Sequence, residues 1–318
     1  MTINLPPPFD PADSVIIREP ERAEPGYWVG CPSVLVDGDR TWLTYRERRP
    51  RGATAERGWR CAVAVSRDGL EFEDVWDVHK DELGSPSMER FDLTKTEDGY
   101  ELFLSYVDPA DGRWRIDTLT ASRPEDLDVA TRRPVLTADS TATEGVKDPV
   151  VVKIDDTVHL FASFAAAGPA VNRAAHATAD IYNTGATTHP TGLAIGDGHG
   201  FIWQGQVLGV GAPGSWDGYQ ARLGSVVPVG GGFVGFYDGS ASRDENYEER
   251  LGVATSVDGR SWQRMSTDEP WLTGPGPSGS IRYVDAVVRD GAWWLYYEAT
   301  RPDGAHELRL ARVPDLTR

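Results

Sequence analysis

One pattern recurs five times along the chain. It is a short apolar strand, a turn built on Asp or Gly, and a second strand rich in aromatic and β-branched residues. Residues 31–45 (Cys-Pro-Ser-Val-Leu-Val-Asp-Gly-Asp-Arg-Thr-Trp-Leu-Thr-Tyr) align without a gap on residues 148–162 (Asp-Pro-Val-Val-Val-Lys-Ile-Asp-Asp-Thr-Val-His-Leu-Phe-Ala). The same shape returns at 89–106, turning at Glu97-Asp98-Gly99, and at 222–237, turning at Gly230-Gly231-Gly232. A fifth copy at 284–298 turns at Asp290-Gly291.

Two of the hairpins run on into a third strand and a further turn. Ala62–Ser66 leads to Asp68-Gly69 and Phe72, and Gly252–Ser256 leads to Asp258-Gly259 and Trp262. The shared Ser-x-Asp-Gly-x-x-aromatic signature sets Gly where φ must be positive, then supplies an aromatic to pack between sheets. It resembles the Asp-box of sialidases, one residue short, and reads as a turn. Five units of about four strands predict an all-β fold, a five-bladed β-propeller. The last unit is one strand short, and Ser14–Arg18 completes it, so that an N-terminal strand closes the ring and removes free edges. With no linker or break in composition, residues 1–318 read as a single domain. A two-sheet sandwich does not account for five equivalent hairpins. Only 165–192 breaks the repeat, a long Gly-, Ala- and Thr-rich segment with His176 and His189, and it reads as a lid over one face.

A formal charge of −17 argues against a nucleic-acid partner, since phosphate backbones need a cationic surface. No stretch approaches the 18 or more apolar residues that span a membrane. The start of the chain, with Pro6, Pro7 and Pro8, lacks the basic and apolar regions of a secretory signal, so a soluble cytoplasmic protein is expected. Cys31 and Cys61 make no disulfide framework and read as buried thiols. No His/Cys cluster has metal-ligand spacing, no Gly-rich phosphate loop is present, no cofactor is implied, and nothing supports a calcium ion at the axis.

In a propeller the first strand of each blade lines the central channel. Its start here carries Tyr27, Trp28 and Cys31, then Glu89 and Arg90, then Glu144, Lys147 and Asp148. The fourth and fifth units add Tyr219, Gln220 and Arg222, and Arg282, Tyr283 and Asp285. Ion pairs between neighbouring strands could plug such a channel. The functional reading is a pocket for a hydroxylated ligand: carboxylates accept from sugar hydroxyls, aromatics stack on sugar faces, and arginines hold anions. Paired carboxylates also suit acid/base cleavage of a glycosidic bond. His176 is the histidine of the lid segment that would reach the pocket. Cys31 lacks the His or cation that a thiol nucleophile needs and reads as packed.

Val146-Lys147-Asp148-Pro149-Val150-Val151 resembles the Asp-Pro-x-Val strand start of the five-bladed propeller glycosidases, the group that includes glycoside hydrolase family 43. Gly84-Ser85-Pro86-Ser87-Met88-Glu89 loosely resembles that family's Ala-Pro-Glu-Val strand. The resemblance implies that Asp148 orients a general acid and tunes its pKa. Two other family carboxylates have no counterpart: Cys31-Pro32 stands where a first-blade Asp precedes Pro, and Tyr219-Gln220-Ala221-Arg222 begins the strand of the general acid. The expected function is therefore a glycoside hydrolase-like enzyme cleaving a terminal bond of a small-molecule or oligosaccharide substrate. Asp148 and Glu89 would be the acid/base pair and Asp285 the third candidate. Arg222, Arg282, Lys147, Arg90, Tyr283, Trp28, Gln220, Glu144 and His176 would bind substrate. The alternatives are a phosphorylase like those of family 130, with the basic residues holding phosphate or an anionic sugar, and a non-catalytic sugar-binding propeller or other chemistry on the same fold.

Overall fold

The structure is a computed structural model and describes residues 3–169 and 171–315. It is nearly all β. After β1 (Val15–Arg18), the first unit is β2 (Trp28–Asp37), β3 (Arg40–Arg49), β4 (Arg57–Ser66) and β5 (Glu73–His79). The second is β6 (Met88–Lys95), β7 (Tyr100–Val107), β8 (Trp114–Ala121) and β9 (Arg133–Leu136). The third is β10 (Val146–Ile154), β11 (Thr157–Phe164), β12 (Thr191–Gly196) and β13 (Phe201–Leu208). The fourth is β14 (Gln220–Val229), β15 (Gly232–Ser240), β16 (Arg250–Ser256) and β17 (Gln263–Arg264). The fifth is β18 (Ile281–Arg289), β19 (Ala292–Thr300) and β20 (His306–Pro314).

Within each unit the strands pair antiparallel in chain order. The expected hairpins are β2–β3, β6–β7, β10–β11, β14–β15 and β18–β19. The missing strand of the fifth unit is β1, which pairs antiparallel with β20. A single parallel pairing, Trp28 with His306, joins the first and fifth units into one sheet.

Five apolar cores hold the units together. Trp42, Phe91 and Leu102 belong to the core between units one and two. Phe103, Val146 and Leu160 mark the next, and Phe161, Leu223 and Tyr237 the third. Phe236, Val284 and Trp293 lie between units four and five. Leu43, Tyr296 and Leu308 lie between units five and one. The Ser-x-Asp-Gly turns serve these cores. The Ser66 hydroxyl accepts from the Gly69 N–H and Asp68 accepts from the Leu70 and Glu71 N–H groups, and Ser256 and Asp258 repeat the pattern. The aromatics that follow meet the neighbouring unit edge-to-face, Phe72 on Tyr296 and Trp262 on Phe161.

Each first strand breaks register near the same point. The bulges fall at residues 30–33, 88–91, 147–150, 223–225 and 282–285. A β-bulge bends a strand and re-aims its side chains. Three of the bulged residues, Cys31 (φ +54), Asp148 (φ +58) and Tyr283 (φ +52), are left-handed. Non-glycine residues adopt that conformation at a cost of about 1–3 kcal/mol, and do so where surrounding structure over-determines them. Cys31 and Asp148 are thus equivalent in backbone as well as in alignment. The fifth-unit equivalent is Tyr283, not Asp285. The first strands pack on one another in sequence, β2 on β6, β6 on β10, β10 on β14, β14 on β18 and β18 on β2, which brings the bulges together.

Candidate active site

The bulges deliver a buried charge network whose hub is Tyr283. Its ring lies 3.8 Å from the Arg222 guanidinium, 4.8 Å from that of Arg282 and 5.8 Å from that of Arg46. Its hydroxyl donates to Glu89 Oε2 at 3.1 Å and accepts from Arg222 Nη1 at 2.9 Å. The same Arg222 nitrogen reaches Asp148 Oδ2 at 3.0 Å, so the two leading carboxylates are joined through Arg222 and Tyr283. Glu89 also receives Arg46 and, at 3.5 Å, the Cys31 thiol. Asp148 has Lys147 Nζ at 3.5 Å and accepts from the Arg90 N–H at 3.3 Å.

The second strands, the residue just before β16, and β20 supply the rest. Arg222 grips Asp238 with Nε at 3.0 Å and Nη2 at 2.6 Å. Glu249 accepts from Arg282 Nη1 at 2.6 Å and from Gln220 at 3.0 Å. Glu298 joins Arg282 at 3.0 Å, Arg46 at 3.2 Å and His306 Nδ1 at 2.7 Å. Five buried cations, Arg46, Arg48, Lys147, Arg222 and Arg282, thus face five buried carboxylates, Glu89, Asp148, Asp238, Glu249 and Glu298, in one shared network. Burial without such pairing would cost several kcal/mol per ion.

The pairing fixes protonation. Burial pushes the Glu89 carboxyl up, but Arg46, then Lys147, Arg48 and Arg282, hold it well below the usual carboxylate range. Glu249 is likewise drawn down to about 2, against its burial, by Arg282 and Arg222. Glu298 is held low by Arg282 and Arg46 in spite of burial. Asp238 moves the other way, raised by burial more than Arg222 lowers it. Burial also lifts the Cys31 thiol well above its ordinary value, so it is the packed group expected from the sequence.

Segment 165–190, the link from β11 to β12, covers this end. Its Asp180 takes Arg51 at 3.0 Å, Arg57 at 3.5 Å and the Tyr247 hydroxyl at 2.8 Å. The backbone carbonyl of Ala179 accepts from Arg57 at 2.8 Å. Ile181 and Tyr182 are anchored on Val107 and Trp114 of the second unit.

The structure sorts the expected site residues into three groups. Glu89, Asp148, Lys147, Arg222, Arg282, Tyr283 and Gln220 come together, but as partners of one another. The basic residues expected to hold substrate or phosphate are already neutralised by protein carboxylates, and Tyr283 is sandwiched rather than open for stacking. Trp28 lies at the edge, stacked on His306 at 4.2 Å with the Arg48 guanidinium 4.4 Å from its ring. Glu144 and His176 pair at 2.8 Å away from the network. His176 lines a separate groove of about 800 Å³ with Asp81, Asp108, Asp111 and Arg173. Arg90 and Asp285 lie apart from the network, Asp285 past the bulge of β18. Arg90 donates to the Gly224 carbonyl at 2.5 Å and ion-pairs with Asp285 at 3.4 Å, so Asp285 does not join the other two carboxylates.

Reasoning from first strands alone missed Arg46, Asp238, Glu249, Glu298 and His306. A signal existed. Arg222 pairs across the hairpin with Asp238, Arg282 with Glu298 and Gly30 with Arg46, so ionisable residues interrupt apolar second strands at one register.

This fold is the one found in solved glycoside hydrolases and in a glycoside phosphorylase. One glycoside hydrolase superposes with a TM-score of 0.69 at 14% identity, covering 93% of this chain and 90% of its own. A thermostable family-43 glycoside hydrolase gives 0.65 at 14% identity, covering 89% of each chain. The β-1,2-mannobiose phosphorylase from Listeria innocua, in complex with β-1,2-mannobiose, gives 0.62 at 12% identity over 96% of this chain and 94% of that one. No family model and no curated protein matches the sequence. At such identities the likeness is one of fold.

Proposed function

We propose that the five units are the blades of one five-bladed propeller forming a single domain, and that the protein is a carbohydrate-active enzyme of glycosidase type. The observation that carries this reading is the meeting of Glu89 and Asp148 at Tyr283 and Arg222, where five bulged first strands converge, in a fold shared with glycoside hydrolases. Glu89, held ionised by Arg46, is suited to act as a charge-stabilising carboxylate towards a terminal sugar. Asp238, whose carboxyl burial raises, is the neighbouring group, gripped by Arg222 and accepting from the Tyr283 N–H at 2.9 Å. A substrate would have to displace segment 165–190. Phosphorolysis is less favoured, because phosphate would have to compete with the carboxylates already on Arg222 and Arg282.

The balance of buried charges in that network favours a second reading, a sugar-binding propeller without turnover. Aryl glycosides assayed with and without phosphate separate the readings. Phosphate-independent release that falls by roughly 100-fold or more in Glu89→Gln, with folding retained, supports the glycosidase. Turnover that needs phosphate identifies a phosphorylase. Saturable sugar binding without turnover supports the binder. Full activity in both Glu89→Gln and Asp148→Asn overturns the site.

A further inference from the structure

The channel has a second end. Beyond Arg90, on the side away from Tyr283, the first strands enclose a cavity of about 650 Å³. Its walls carry Val34, Val150, Val226 and Val287 from four units and Leu93 from the remaining one, with Lys95, Lys153, Arg289 and Glu101, whose carboxylate accepts from the Thr118 hydroxyl at 2.9 Å, also in the lining. At its inner end stand Asp92 and Asp285, both buried. Their Oδ2 atoms lie 3.9 and 3.4 Å from the same nitrogen, Arg90 Nη2. That nitrogen is itself buried and makes no hydrogen bond to either.

The charge count here differs from that at the Tyr283 end. Two carboxylates share one guanidinium, so the inner end carries one negative charge in excess when both are ionised. Cations at the mouth do not offset it, because each has its own partner outside. Lys95 pairs with Asp37 at 3.1 Å, Lys153 with Asp156 at 3.0 Å and Arg289 with Asp290 at 3.3 Å. An apolar sleeve ending in one uncompensated negative charge complements a ligand with an apolar body and one cationic head, and the volume falls in the range of small-molecule pockets.

We infer that this cavity is a binding site for a small organic monoammonium ion, with its ammonium on the cavity side of Asp92 and Asp285 and its hydrocarbon body against the valines. The site is independent of any sugar chemistry at the other end. Unliganded, the excess charge is relieved by a proton: burial, with Asp285 adding to it and Arg90 opposing, raises the Asp92 carboxyl to about 7. Asp285 is raised by burial too, again against Arg90. The ammonium takes the place of that proton, so binding strengthens as pH rises towards 7 and levels off above it.

Benzylammonium is a suitable probe, with benzyl alcohol as the neutral isostere and benzoate as the anion, followed by calorimetry and thermal shift on the full chain. Saturable binding of benzylammonium at pH 8 is expected, weakened roughly tenfold or more at pH 5.5 and absent for the alcohol and benzoate. Asp92→Asn and Asp285→Asn should each weaken it at least tenfold. Val36→Trp, at the half-exposed mouth and remote from the buried charges, should block it while leaving the protein folded. No saturable binding of benzylammonium at pH 8, equal binding of benzyl alcohol, or unchanged affinity in Val36→Trp overturns the proposal. Glycosidase activity reads on none of these outcomes.

Discussion

Gly30 shows how closely single residues are held in the buried network. Pairing across the hairpin from Arg46, it lies against Glu298, and a Cβ on it would overlap that carboxylate. Glu298 cannot retreat, because Arg46, Arg282 and His306 fix both of its oxygens. Gly30→Ala should therefore cost on the order of 3 kcal/mol, as disruptions of buried charge networks do. Gly38→Ala, at a turn with φ +62° and open space around it, should cost about 1 kcal/mol, from backbone strain alone. Denaturant titration of both checks the contrast, and equal losses would contradict it. Asp92 gives a prediction of opposite sign. With its carboxyl raised to about 7, the folded chain keeps a proton between about pH 4 and 7 that the unfolded chain has shed. Stability therefore falls as pH rises through that window and is flat above it. Asp92→Asn removes the penalty. Its gain over wild type should be near zero at pH 4 and reach the order of 4 kcal/mol at pH 8. Scanning calorimetry across the range decides this, and a gain that shrinks with rising pH would refute it. The same variant should lose the amine, which separates stability from binding.

At the scale of elements, the hairpins and the Ser-x-Asp-Gly turns were legible in the sequence because their signals are local: alternating apolar residues, a Gly at positive φ, an aromatic at fixed spacing. The alignment of Cys31 with Asp148 even reported a shared backbone conformation. What the sequence did not reveal was which ionisable residues meet. Arg46 and Glu298 are 252 positions apart, and nothing in either strand names the other. Register went astray where a bulge shifts it, so that Asp285 was placed beside Asp148 although Tyr283 holds the equivalent position. Segment 165–190 stood out because it breaks the repeat, and its anchor, Asp180, appears only in the structure. Burial raises that carboxyl, but Arg57 and Lys147 outweigh burial and hold it below its ordinary value. Asp180→Ala would leave Arg57 buried without its carboxylate, a loss of roughly 3–5 kcal/mol by the rule for broken buried pairs. Limited proteolysis should then cut within 165–190 well before wild type is cut, and an unchanged cleavage pattern would show that Asp180 is not the anchor.

Across the whole molecule, the five apolar cores make each unit a partner of two others, and the N-terminal arm crosses the place where the chain's two ends meet. Ile17 of β1 is buried in the core between units five and one. The Ser14 hydroxyl accepts from Tyr297 at 2.6 Å, Arg18 donates to the Phe72 carbonyl at 2.5 Å, and Phe9 packs on Tyr297 and Trp271. Removing residues 1–18 takes a strand from the fifth unit and bares the β20 backbone that β1 covers. Burial of Ile17 and partial burial of Phe9 alone are worth roughly 2–4 kcal/mol, before any strand hydrogen bonds are counted. Because every core is shared, that loss should not be confined to the fifth unit. The truncated chain should unfold in one transition at lower temperature, with a rise in self-association through the bared strand. Calorimetry with light scattering tests this directly. A transition that splits in two, leaving the main one at the wild-type temperature, would mean that the fifth unit melts alone and that the arm only decorates units already held together by their cores.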